Sequence, residues 1–261
     1  DLRVAENAGV KIHGNYSRAN PQKSLRIHAR GGYGASDLEH DFFPDKGIDS
    51  FRTVLLRNAG NDWCESHLRD VAASRLVRDL DVDRMAARPV TVFLNGEYWG
   101  VHHLRERVDE DYLAANHGVD PAAVDLLEFG GDVIEGSNAS YWDLLDLLED
   151  VDPASPTAFE QVRTLMDTEE YATFCALQIY LGNLDWPRSN NRFWRPQSPD
   201  GRWRWIFFDL DFGFGLVADV AHDTLAFATD SDGDPAYNPP WSTFLLRRLL
   251  DLPRFRLDFV N

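Results

Sequence analysis

The sequence predicts an α+β fold, with a β-rich first lobe at about 1–108 and a mainly helical second lobe at about 109–261. Three observations carry this. Before about residue 105, short apolar runs alternate with polar positions and are punctuated by Gly, Asn and Pro. From about 109, apolar residues recur at helical spacing. The helical half is interrupted by two aromatic strand-like runs, NRFWR and RWRWIFF, joined through Pro199-Asp200-Gly201.

The elements follow in order. Val10 and Ile12, then Leu25 and Ile27, mark two strands joined by the polar stretch Gly14–Gln22. FRTVLLR at 51–57 reads as a third strand. Asp62, with Glu65 three residues on, has the pattern of a capping box. It predicts a helix reaching about Leu80, with Leu68, Val71, Ala72, Leu76 and Val77 on its apolar face. PVTVFL and EYWGVHHL flank Asn95-Gly96, the signature of a type I′ hairpin. Helices are expected at about 109–116, 137–149, 157–166, 168–181 and 241–257, with 216–240 as loop.

Composition excludes several classes. Forty-three acidic against 26 basic residues give a net charge of −17, the wrong sign for a nucleic-acid coat. No apolar run is long enough for a membrane helix, and no signal-peptide pattern is visible at Asp1. Two cysteines, Cys64 and Cys175, cannot build a disulfide framework or a zinc cluster, which leaves the compartment open. Asp230, Asp232 and Asp234 imitate half a calcium loop, but Trp241 stands where its glutamate belongs, so a solvated acidic loop is expected. His102 and His103 alternate on a strand and cannot grip one metal together.

The strongest chemical pattern is Asp185-Trp-Pro-Arg-Ser-Asn190 followed, after one hairpin, by Asp209-Leu-Asp211-Phe-Gly213. Phosphoryl transfer in protein kinases uses an aspartate at the acceptor hydroxyl, an asparagine five positions later on metal, and an Asp-Phe-Gly aspartate on the same metal pair. Asp209 and Asp211, two apart on an extended segment, are expected to face one way, with Asp211 favoured as the direct ligand. Upstream, the chemistry asks for a cation on the phosphates and a carboxylate to orient it. Of only three lysines, Lys23 follows the Gly14–Asn20 loop at a strand start and is the candidate, with Lys11 and Lys46 as bystanders. Glu106 ends the hairpin strand on the face of Leu104. Arg57 either faces phosphates or makes an ordinary ion pair.

These residues resemble the CotH family of atypical protein kinases. The similar elements are Gly14-Asn15-Tyr16-Ser17 leading to Lys23, Asn61-Asp62…Leu68-Arg69, Leu94–Val101 ending in Glu106, Asp185–Asn190, and Asp209-Leu-Asp211-Phe-Gly-Phe-Gly215. The resemblance implies one kinase-like bilobal domain over 1–261 and ATP with magnesium or manganese as cofactors. It also implies a protein partner with a Ser or Thr acceptor, in an extracellular, cell-surface or spore-associated setting. It would place Asp185 as the catalytic residue. Lys23, Glu106, Arg57 and Asn15 would serve the nucleotide, and Asn190, Asp211 and Asp209 the metal. His13 stands where the family often has arginine, and Asn191 competes with Asn190 for the metal role. Two other readings compete: an inactive kinase-fold binding or adhesion module, and another nucleotide-dependent transferase. The presence of Lys23, Glu106, Asp185, Asn190 and Asp211 together argues against the first.

Overall fold

In the computed structural model, which describes residues 4–261, helices and strands mix as the α+β reading expects, and the chain forms two units. One unit runs to residue 78 and resumes over Met85–Gly118; the other comprises Asp79–Arg84 and Val119–Asn261.

The first unit is built on a five-stranded antiparallel sheet. Its order is Gly9–His13, Ser24–His28, Thr53–Arg57, Glu97–Glu106 and Ala87–Leu94. Asn95 and Gly96 both take positive φ, 54° and 85°, which gives the hairpin its type I′ twist. Because side chains alternate along a strand, Leu25, Val54, Leu56 and Leu104 share one face. They bury there against Phe43 and Phe51 from the segment between the second and third strands.

Arg105, between Leu104 and Glu106, points to the other face and is fully buried. Its guanidinium donates to Asp70, to Ser74 Oγ (3.1 Å) and to the Ala86 carbonyl (3.1 Å), which docks the helix Arg69–Leu76. That helix corrects the sequence reading twice. It starts at Arg69, because Asp62 sits in a 3-10 turn, Gly60–Asp62, and caps from a distance by accepting from the Arg69 amide at 3.0 Å. Leu68 and Leu76 lie in solvent, because the buried stripe is instead Asp70, Val71, Ala73 and Ser74.

Burial alone would raise the Asp62 pKa, but hydrogen bonds from Arg69 and Ser66 outweigh it and hold the carboxyl below its ordinary value. Asp62→Ala should therefore lower unfolding free energy by about 2–3 kcal/mol at pH 7 in urea titrations. The depressed pKa makes this contribution present above about pH 4 and lost as pH falls, so the two proteins should converge in acid.

The second unit has its own mixed sheet, in the order Asp132–Glu135, Val124–Glu128, Arg192–Pro196, Arg204–Phe207 and Asp83–Arg84. The last strand pairs in parallel with Ile206-Phe207. The strands at 124–128 and 132–135 escaped the sequence reading. VDLLE is too short an apolar run to tell strand from helix, and three of the four residues of its hairpin partner are exposed. An aromatic layer fills the core: Tyr171 packs on Trp205 (ring centroids 4.4 Å) and Phe193 stacks on Trp205 (5.4 Å). The helix Thr168–Leu181 is bracketed by the Asp167 side chain, which accepts from the Glu170 amide, and by Gly182 at φ 63°. Within 216–240, expected to be loop, Thr224–Thr229 is helical behind its Asp223 cap. The final helix divides at Leu252, because Pro253 cannot donate to the preceding turn. No helix of the described residues is long and apolar enough to cross a membrane.

Candidate active site

In the second unit the sequence-predicted cluster assembles around Asn190. Gly182 ends the 168–181 helix, and Asn183 reaches back to Gln178, donating from Nδ2 to Oε1 (2.8 Å). Asn183 Oδ1 then accepts from the Asp185 amide (3.2 Å), fixing where the catalytic candidate leaves the turn. Trp186 anchors the next residue in the core, and the Trp186-Pro187 peptide is cis. Asn190 takes a left-handed conformation, φ 50°, one that asparagine tolerates better than most residues. From there its Nδ2 donates both to Asp185 Oδ2 (2.7 Å) and to the Asp209 carbonyl (3.2 Å). Both amide hydrogens are thereby used, and Oδ1 is the atom of that side chain suited to a cation. Asn191 donates from Nδ2 to the Phe129 carbonyl (3.3 Å) instead, and its Oδ1 is buried with no hydrogen-bond partner.

The Asp185 carboxyl is pushed up to a pKa of about 6, first by burial and second by the charge of Asp209; Asn190 and Ser189 pull the other way. A carboxylate in that range can take a proton near neutral pH.

Asp209 and Asp211 depart from the extended geometry expected of them. The strand ends at Phe207, Asp209 is left-handed at φ 55°, and the chain turns from Asp211 onward. Alternation therefore does not set their directions. Asp211 is completely buried, whereas Asp209 is half-buried and gives its carbonyl to Asn190.

Two carboxylates and an amide oxygen are the hard oxygen donors that magnesium or manganese takes, so these residues fit such an ion. Among the described residues no three His, Cys, Asp or Glu side chains form a ready metal cage. An ion that also binds substrate phosphates needs only one or two carboxylates from the protein.

The first unit places its candidates separately. Gly14, at φ 98°, opens the loop, and a Cβ there would meet Ser17 Oγ at 2.3 Å. Asn15 is exposed at the start of the turn Tyr16–Ala19. The Lys23 ammonium donates to the Arg18 and Asn20 carbonyls (2.7 and 2.6 Å), so it ties the loop onto the start of its strand. Glu106 does not meet Lys23. Its Oε2 lies 3.3 Å from Lys46 Nζ and accepts from the Ala86 amide (2.6 Å), while Oε1 accepts from Asn116 (2.9 Å). Lys46, expected to be a bystander, is the partner of Glu106 because the segment covering the sheet delivers it there. Arg57 lies 3.8 Å from Asp70, the ion-pair alternative of the two readings.

Sequence reasoning missed Asn183, Lys46, Asp70 and Arg105. Only Asn183 left a signal, an asparagine directly after the Gly that stops a helix. The chain matches the family model described as CotH kinase protein over residues 10–261. No curated protein matches the chain.

Proposed function

The chain belongs to the CotH kinase family, and from that premise we propose that it is an ATP-dependent protein Ser/Thr kinase working with magnesium or manganese. The observation that carries this reading is the Asn190 amide joining Asp185 to the Asp209 backbone, with the Asp185 carboxyl raised to about 6.

In this reading Asp185 orients the acceptor hydroxyl and takes its proton as the new oxygen–phosphorus bond forms and the β–γ bridging bond breaks. Asn190 holds Asp185 in place and, with Asp211 and Asp209, would hold the metal. The ion supplies neutralisation of phosphate charge when bound. Lys23, with Asn15, would shape the loop toward the nucleotide phosphates; Arg57 and Glu106 would support that side. The acceptor is a Ser or Thr in a basic segment, since the −17 chain attracts positive charge.

The test is transfer of label from γ-labelled ATP with manganese to a panel of basic peptides. No transfer to any peptide and no autophosphorylation would overturn the reading. A paired substitution sharpens it. Lys23→Met should weaken ATP binding in calorimetry and lower turnover while the protein keeps its melting temperature within a few degrees. Lys46→Met should instead cost stability, about 1–3 kcal/mol, because the Glu106 carboxylate, 3% exposed, loses its cation and keeps only its hydrogen bonds from Ala86 and Asn116. Equal loss of ATP affinity in both would point to bulk charge rather than a site at Lys23.

A further inference from the structure

In a chain with 43 acidic and 26 basic residues, one cavity of the first unit reverses the balance. It encloses about 560 Å³ at the end of the sheet where Gly9 and His28 pair. Lys11, Arg26, Arg30, Arg52 and Arg107 line it, against Glu110 and Asp111 as the only carboxylates.

Two of those cations are compensated. Arg52 lies 3.4 Å from Asp111 and 3.8 Å from Asp37, and Arg107 pairs with Asp109. Lys11, Arg26 and Arg30 make no ion pair or side-chain hydrogen bond with any described residue. Their placement is not that of scattered surface charge. Lys11 and Arg26 sit directly opposite each other on paired strands, an arrangement that costs stability between like charges. Arg26 alternates with Leu25 and Ile27, which pack in the core, so its side chain is committed to the opposite face. Partial burial, and then the neighbouring Arg107, lower the Arg26 pKa, more than the nearby Asp109 raises it.

We propose that this cavity binds a free inorganic polyphosphate anion, at the opposite end of the two paired strands from Lys23, where the kinase reading puts the nucleotide phosphates. The volume suits a ligand of that size, and guanidinium forks match phosphate oxygens two at a time. This assignment does not rest on the kinase reading.

Calorimetric titration of the whole chain with inorganic triphosphate tests the proposal. The wild type should bind, and Arg26→Gln and Lys11→Gln should each weaken binding about tenfold or more. Arg88→Gln, an exposed cation on another strand of the same sheet, should change nothing. Melting temperatures within a few degrees of wild type would show that the variants are folded, and these surface positions carry no packing role that would prevent it. Absence of triphosphate binding, or equal loss in all three variants, overturns the assignment. A parallel fall in ATP affinity would mark a nucleotide site and overturn the assignment. Unchanged ATP affinity supports it. Triphosphate binding without any phosphotransfer by the wild type would sink the kinase reading and leave the cavity assignment standing.

Discussion

Asp185→Asn is expected to lower phosphotransfer by about 10²–10⁴-fold and, in the same protein, to raise the melting temperature at pH 8 by a few degrees. The first effect is the usual one of losing a positioned base. The second follows from linkage. The Asp185 carboxyl, at about 6 in the folded chain, lies above its ordinary 3.8, with burial the main cause and Asp209 next. Between those values the folded protein holds a proton that the unfolded chain has released, so stability falls as pH rises through about 4 to 6. Asparagine does not titrate. Its gain should be absent below about pH 4 and complete above about pH 7, measured by thermal melts in metal-free buffer. The wild-type kcat/KM should climb with pH along a limb below about 6, since only the carboxylate accepts the proton and a bound cation beside Asp209 lowers its pKa. A variant that keeps more than about a tenth of wild-type turnover, or melts lower at pH 8, would contradict the assignment.

Asp211→Asn should eliminate manganese-dependent ATP binding, whereas Asp209→Asn should weaken it by about 10–100-fold. The structure changes the ground for this ordering without reversing it. A shared face on an extended strand no longer argues for it, because Asp209 is left-handed. Burial now does: Asp211 is fully enclosed, and a buried carboxylate gains most from a cation beside it. Asp209 is half-buried and already serves the site through its carbonyl to Asn190, which asparagine at 209 would keep. Calorimetry with ATP and manganese, set against ATP alone, separates the two variants. Full manganese dependence in Asp211→Asn would remove the residue from the metal site.

The sequence by itself determined what depends on local spacing. Asn95-Gly96 dictated its hairpin because only a few residues tolerate two positive φ values in succession. The 168–181 helix was legible from its cap and its stop. The five-residue step from Asp185 to Asn190 suffices for the two side chains to meet, because one turn and Trp186 lie between them. Tertiary structure decided what depends on chain segments distant in sequence. Glu106 had a readable face but not a readable partner, since Lys46 lies sixty residues away and arrives on the segment that covers the sheet. The helix face at 69–76 was misread because buried Arg105 makes Asp70 an inward residue, against hydropathy. Hydrophobic periodicity reports burial of apolar groups; it cannot register a charge whose partner is supplied by another strand.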